Sequence, residues 1–76
     1  MKKVIIYSTP TCVHCNIAKT YFDNLNIPYE TYDVSEDMSK REEMVKLAHG
    51  RLVVPIITID DEVFIGFNEI NIQQAL

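Results

Sequence analysis

The sequence lacks the features that mark membrane proteins, linker-joined multidomain chains and nucleic-acid-binding proteins. Its apolar runs are only a few residues long, far below the length of a membrane-spanning helix. It has no low-complexity tract, internal repeat or Gly/Ser-rich linker, so we expect one small domain over residues 1–76. Acidic residues outnumber basic ones by 11 to 7, and the net charge of −4 argues against DNA, RNA or an anionic membrane as a partner.

Cysteine is scarce, and the two that occur, Cys12 and Cys15, stand three positions apart. A disulfide between them closes a very small loop and gives little entropic stabilisation, which argues against a structural staple. The apolar run Val4–Tyr7 follows two lysines but is too short for a signal peptide, so we expect a cytoplasmic protein, in which structural disulfides are uncommon.

A metal site is the alternative from another functional class. Zinc needs four ligands, and His14 lies between the two cysteines, where its side chain is expected to point away from them. A zinc or iron–sulfur module would therefore have to share cysteines between two chains, and that alternative stays open. A cytosolic C-x-x-C beside a βαβ pattern is more typical of a redox-active dithiol, with no bound cofactor.

Apolar periodicity predicts the first three elements of the chain. The unbroken run Val4–Tyr7 predicts a strand that is covered on both faces. A helix follows, and its apolar residues recur at helical spacing and predict one buried stripe. That stripe consists of Val13, Ile17, Ala18, Tyr21, Phe22 and Leu25. Alternation of apolar and polar residues over Tyr29–Val34 predicts a second strand.

A second helix is predicted over residues 36–49. Ser39 and Glu42 have the spacing of a capping box, and Gly50 suits the position just after the helix. His49, near the carboxyl end, is most simply a partner of the helix dipole. The expected buried side consists of Met38, Arg41, Met44, Val45 and Ala48.

The segments VVPIITID and EVFIG predict a hairpin that turns at Asp60 and Asp61. Asn68 can cap a short last helix that carries Ile72 and Leu76 on one side. The order is thus βαβαββα, which predicts an α/β fold. The first βαβ unit requires parallel strands, the final pair must be antiparallel, and helices are expected on both faces of one sheet.

The cysteines fall where an open α/β sheet concentrates its chemistry, beyond the carboxyl end of the first strand. Cys12 lies at the amino end of the first helix, where unpaired backbone N–H groups and the helix dipole favour its thiolate. Cys15, one turn later, is expected to be more covered, so Cys12 would attack and Cys15 would resolve the mixed disulfide. His14 and Lys19 carry charges that could favour the Cys12 thiolate, although each is also explained as a solvated surface residue.

Three stretches resemble the glutaredoxin family and together cover almost the whole chain. The family's active-site motif, in which Tyr-Ser or Tyr-Thr leads into C-P-Y-C and a following lysine, is similar to YSTPTCVHCNIAK. Its second helix and Thr-Val-Pro strand start are similar to KREEMVKLAHGRLVVPIITID, and its Gly-Gly-x-Asp turn is similar to IGFNE. The resemblance implies a thioredoxin-like fold, a four-stranded mixed sheet flanked by three helices.

The resemblance also implies functional roles for individual residues. Cys12 is the nucleophile and Cys15 the resolving thiol of a thiol–disulfide oxidoreductase that reduces protein disulfides or glutathione mixed disulfides, with glutathione as co-substrate. The thiolate-tuning candidates are Thr11, His14 and Lys19. The substrate-binding candidates are Tyr7, Thr9, Val13, Val53, Val54, Pro55, Gly66, Phe67 and Asn68. A cis peptide bond at Val54-Pro55 would leave the backbone of Val54 free to pair with an extended thiol substrate.

Departures from the family pattern bear on the electron donor. Glutaredoxins usually carry a lysine where Thr9 stands, and this lysine helps to bind a carboxylate of glutathione. The family's threonine is Val53 here, its second glycine is Phe67, and its aspartate is replaced by Asn68 or Glu69. The C-V-x-C motif and the single Gly-Phe also resemble the small redoxins that feed ribonucleotide reductase and are recharged by thioredoxin reductase, and the ending VFIGFN is similar to a group of short bacterial glutaredoxin-like proteins. The electron donor is therefore either glutathione or thioredoxin reductase. We expect the protein to be a monomer.

Overall fold

The computed structural model describes residues 2–51 and 53–76 and confirms the predicted order of elements. The strands are β1 Val4–Ser8, β2 Tyr29–Asp33, β3 Ile56–Ile59 and β4 Glu62–Ile65. The helices are α1 Val13–Asn24, α2 Met38–Leu47 and α3 Glu69–Ala75. Of the helices in the described ranges, α1 is the longest at 12 residues, and none has the length and apolar character needed to traverse a bilayer.

The four strands form one mixed sheet in the order β2-β1-β3-β4. β1 and β2 run parallel, as the βαβ unit requires, with Ser8 opposite Asp33 at their carboxyl ends. β3 and β4 form the predicted antiparallel hairpin, and β3 also pairs antiparallel with β1. The hairpin turns at Asp60, whose φ of 52° is a left-handed conformation that aspartate tolerates better than most residues.

The central strand β1 alternates its side chains between two apolar clusters. Val4 and Ile6 pack on the side of α1 and α3, whereas Tyr7 packs on the side of α2 with Met44. The sheet is therefore covered by helices on both faces, as predicted. β4 is an edge strand, and its Val63 and Ile65 remain exposed.

The buried stripe predicted for α1 is only partly right. Val13 is 68% exposed and Ile17 45% exposed, and Leu25 is exposed as well. The buried face consists of Cys15, Ala18 and Phe22. Because α1 lies against one side of the sheet, only a narrow face of the helix is covered, and the neighbouring apolar positions contact water.

Helix α2 begins later than predicted. Its N-cap is Asp37, whose carboxylate accepts a hydrogen bond from the amide of Lys40 at 3.1 Å, so Ser39 lies inside the helix and forms no capping box. The expected buried side is also too wide, since Met38 is exposed and Met44 is the buried residue within the helix.

Two smaller expectations also differ from the structure. β3 begins at Ile56 rather than at Val53, because Pro55 has no N–H for the ladder, and the Val54-Pro55 peptide bond is cis. On α3, Asn68 caps the helix as predicted and Ile72 is buried, but Ala75 is the second buried residue and Leu76 is exposed.

Candidate active site

Three loops meet at one end of the sheet, where β1 and β4 end and β3 begins. Tyr7 at the end of β1 lies opposite Ile56, which in turn lies opposite Ile65 at the end of β4. The amide of Gly66 donates a 2.8 Å hydrogen bond to the carbonyl of Pro55 and joins two of the loops. Gly66 has a φ of +84°, a conformation that glycine adopts without strain.

Cys12 occupies the N-cap position of α1 and is joined to Cys15 by a disulfide. A turn precedes it, in which the amide of Cys12 donates to the carbonyl of Thr9 at 3.2 Å. The Cys12 sulfur accepts a hydrogen bond from the amide of Cys15 at 3.1 Å, in the place of the oxygen that usually caps a helix. The sulfur is thus directed at the unpaired N–H groups of the first helical turn, where negative charge is stabilised.

The two cysteines differ in exposure in the direction that the sequence predicts. Cys12 is half-buried, whereas Cys15 is 0% exposed beneath the first turn of α1. Cys12 is therefore the cysteine that faces solvent, and Cys15 is the one that the helix covers. This asymmetry suits a two-step exchange in which the outer thiol reacts first.

The three thiolate-tuning candidates lie around the start of α1 at different distances. Thr11 is exposed in the turn before the helix, and His14 is exposed in its first turn. Lys19 is half-buried but stands two helical turns beyond Cys12, a rise of about 10 Å along the axis. His14 is therefore the nearer of these two side chains along the helix, and the backbone amide of Cys15 is the group that contacts the sulfur.

A groove of about 240 Å³ opens beside the cysteine loop, between the sheet and α2. It brings together three of the predicted binding residues, Thr9, Val53 and Val54. The rest of its lining was not assigned a role from the sequence and consists of Val34, Ser35, Arg41 and Met44. The groove is mainly apolar, with one cation, which suits an extended chain that carries a carboxylate.

Arg41 is the functional candidate that the sequence analysis missed. It is half-buried on the groove wall, and the two ion pairs in residues 2–51 and 53–76 involve Lys3 and Lys40 rather than Arg41. Arg41 lies three residues before Met44, so helical spacing places both residues on the same side of α2. This spacing is the sequence signal that could have identified Arg41. Arg41 supplies a positive charge to a groove whose other lining residues, Thr9 among them, carry none.

Tyr7, one of the predicted substrate-binding residues, has a buried side chain that contacts α2. The side chain is 1% exposed, and its hydroxyl donates a 2.8 Å hydrogen bond to Oε1 of Glu43 on α2. Lys40 Nζ lies 3.1 Å from Oε2 of the same carboxylate and 4.2 Å from the ring centroid of Tyr32. These four residues form what we term the strand–helix cluster.

The strand–helix cluster keeps Tyr7 neutral and Glu43 charged. Burial, followed by the hydrogen bond to Glu43, raises the pKa of Tyr7 far above its ordinary value of 10.0. The hydrogen bonds from Tyr7 and from Lys40 lower the pKa of Glu43 below its ordinary value of 4.5. At neutral pH the cluster therefore holds an ionised carboxylate between a phenol and an ammonium group.

The other predicted binding residues are distributed around the site. Pro55 is buried, and Val13 is exposed next to Cys12. Phe67 is half-buried and packs edge-on against Tyr21 with ring centroids 5.5 Å apart. The side-chain oxygen of Asn68 accepts a hydrogen bond from the amide of Asn71 at 3.2 Å, so Asn68 caps the last helix.

Within residues 2–51 and 53–76, no three His, Cys, Asp or Glu side chains are grouped so that they could hold a metal ion.

Comparison with known proteins gives a consistent result. The glutaredoxin family model matches residues 4–65. The chain is 41% identical over 71 residues to a Clostridium pasteurianum protein described as an uncharacterized glutaredoxin-like 8.6 kDa protein in a rubredoxin operon, with 93% of each chain covered. It is 37% identical over 60 residues to glutaredoxin 3 of Escherichia coli K12, covering 79% of this chain and 71% of that protein. The solved structure of the thioredoxin-like protein BC3987 superposes with a TM-score of 0.87 at 32% identity, covering 96% of this chain and 99% of that one.

The lowered pKa of Glu43 makes its contribution to stability dependent on pH. A carboxylate whose pKa is depressed by folding stabilises the protein above its ordinary pKa, and this contribution is lost as the pH falls through the folded value. Glu43→Gln should therefore be less stable than the unmodified protein at pH 7, and the difference should shrink as the pH falls below about 4. Urea denaturation at a series of pH values measures this difference. Glu42→Gln, an exposed neighbour on α2, is the matched control, and an equal pH-dependent loss in both variants would contradict the assignment.

Proposed function

The chain belongs to the glutaredoxin family, and we propose that Cys12 and Cys15 carry out its thiol–disulfide exchange as attacking and resolving thiol. The observation that carries this proposal is the position of the Cys12 sulfur. It is the more accessible of the two sulfurs, it caps α1, and it accepts the amide hydrogen of the buried Cys15. Each of these features favours Cys12 as the thiolate that a substrate meets first.

The exchange proceeds in two displacements. The Cys12 thiolate attacks one sulfur of a substrate disulfide, the substrate S–S bond breaks, and the released thiolate takes up a proton. Cys15 then loses its proton and attacks the Cys12 sulfur, which forms the Cys12–Cys15 disulfide and releases the second substrate thiolate. The substrate gains two electrons, the protein loses two, and an external thiol or reductase must restore the dithiol.

Single serine substitutions separate the two roles. Cys12→Ser should lose turnover of protein disulfides entirely, because a serine hydroxyl stays protonated at neutral pH and does not attack disulfides. Serine is a good N-cap residue, so helix α1 should remain intact in this variant. Cys15→Ser should accumulate a covalent complex with a protein disulfide, because the second displacement cannot occur. Mass spectrometry of the trapped complex and insulin-reduction rates measure both results.

Circular dichroism provides the control for these two variants, since both should keep the helix content of the unmodified protein. Retained protein-disulfide reduction by Cys12→Ser would remove Cys12 as the nucleophile. An undiminished rate of that reaction in Cys15→Ser would remove the resolving role from Cys15.

We propose that the groove between the sheet and α2 receives the non-reacting part of a thiol substrate, and that glutathione is such a substrate. Glutathione is an extended tripeptide with carboxylates at both ends, and the apolar wall of Val53 and Val54 with Arg41 opposite offers both surface and charge to one of its arms. The Val54 backbone, two residues before the start of β3, suits strand-like pairing with that arm. Ser35, held by hydrogen bonds to Asp33, adds a polar group at the rim of the groove.

Removal of the Arg41 charge should weaken binding of glutathione-containing substrates. For a partly solvated charge pair the loss is about 1 kcal/mol, which raises KM roughly fivefold and leaves kcat almost unchanged. Steady-state reduction of a glutathionylated peptide by Arg41→Gln measures the effect. Arg51→Gln, which removes the same charge from an exposed position on the loop after α2, is the control. Equal KM values for Arg41→Gln and the unmodified protein would exclude this role for the groove.

Thioredoxin reductase is the second candidate for the electron donor that re-reduces the Cys12–Cys15 disulfide. It is favoured by Thr9, which stands where glutaredoxins usually have a lysine. Parallel NADPH-coupled assays, with glutathione plus its reductase and with thioredoxin reductase alone, separate the two donors. We expect turnover with glutathione because Arg41 replaces the missing cation. Turnover only with thioredoxin reductase would identify the protein as a redoxin.

A purified protein that holds stoichiometric zinc or iron between two chains would instead support the metal-binding alternative.

A further inference from the structure

The strand–helix cluster lies behind the wall of the substrate groove and ties two adjacent strands to one helix. Tyr7 of β1 and Tyr32 of β2 are paired in the parallel register, and their rings lie 5.8 Å apart at an angle of 35°. Lys40 and Glu43 stand three positions apart on α2, so both project from one side of the helix toward these rings. The only cluster member that is almost completely buried is Tyr7.

Few side chains of α2 are buried against the sheet. Met44 is the buried apolar residue of the helix, and Ala48, the C-cap, is the next buried residue along the chain. Met38, at the first helical position, is 58% exposed. The Tyr7–Glu43 hydrogen bond lies beside Met44 in the middle of α2, and among the described residues it is the side-chain hydrogen bond that joins this helix to the sheet.

Both walls of the groove are connected to this attachment. Arg41 lies between Lys40 and Glu43 in the chain and lines one wall, while Thr9, two residues after Tyr7, lines the other. A change in the distance between Tyr7 and Glu43 therefore changes the separation of Arg41 from Thr9 and Val54. The ion pair alone does not fix this distance, because Lys40 and Glu43 belong to the same helix.

We infer that the Tyr7–Glu43 hydrogen bond is a positioning device that sets the width of the groove and thereby selects disulfides that carry a carboxylate. This inference rests on the proposed function of the groove and names the residues that hold its charged wall in place. Tyr7 and Glu43 act through Arg41 and do not touch the substrate. Loss of this hydrogen bond should therefore slow the reaction with disulfides that contact Arg41. The reaction rate with disulfides that contact only Cys12 should not change.

Stoichiometric oxidation of the reduced protein tests this inference without any electron donor. Two disulfides serve as probes at low ionic strength: glutathione disulfide, which carries carboxylates, and 2-hydroxyethyl disulfide, which carries no charge. Tyr7→Phe should lower the second-order rate constant for glutathione disulfide roughly fivefold, the size of effect expected for one hydrogen bond to a charged group, and change that for 2-hydroxyethyl disulfide less than twofold. Tyr32→Phe removes a hydroxyl from the neighbouring ring, where it bonds Glu30 rather than α2, and should change neither constant.

A second variant protects the test against loss of folding. Glu43→Ala removes the partner from the more exposed end of the same bond and should reproduce the selective loss. If Tyr7→Phe and Glu43→Ala slow both probes equally, the cluster acts only on the fold or on the thiol, and the inference is overturned. If the unmodified protein reacts no faster with glutathione disulfide than with 2-hydroxyethyl disulfide, the proposed groove function fails instead. If it does prefer glutathione disulfide but neither variant loses that preference, only the positioning role is refuted.

Discussion

The sulfur of Cys12 has two tasks at the start of α1, and the arrangement of the site depends on both. As the N-cap it accepts a hydrogen bond from the Cys15 amide, whereas in most helices the capping atom is an oxygen. As a thiolate it would gain from that same amide and from the dipole of a 12-residue helix. The group that begins the helix is thus the group that the helix would activate in the proposed reaction, so one residue links the local fold to the proposed chemistry.

Strand register brings the rest of the site to this sulfur. Because β1 runs parallel to β2 and antiparallel to β3, the end of β1 lies beside the end of β2 and the beginning of β3. The loop that contains Val54 and the turn at Gly66 are then joined through the hydrogen bond to Pro55. Residues far apart in the chain form one surface because short strands in a mixed sheet end at the same edge.

Local patterns predicted the elements of this chain better than their contacts. The strand at the β-rich run Val4–Tyr7, the placement of the cysteines at the start of α1 and the cap at Asn68 were predicted from signals within a few residues, and each was confirmed. The exposure of Ile17 could not be predicted, since it depends on how much of α1 a small sheet covers, and a chain of this size leaves much apolar surface in water. The roles of Tyr7 and Arg41 depend on how α2 docks, which is a matter of three-dimensional packing and not of periodicity.

The exposed edge of β4 carries a consequence for the behaviour of the protein at high concentration. An uncovered edge strand with Val63 and Ile65 in water is a template for sheet extension between molecules. Here the strand is only four residues long, and it begins at Glu62, directly after Asp60 and Asp61. Like charge at this turn would oppose pairing between neighbouring copies, and this repulsion would weaken in acid, where the carboxylates are neutralised, and in concentrated salt.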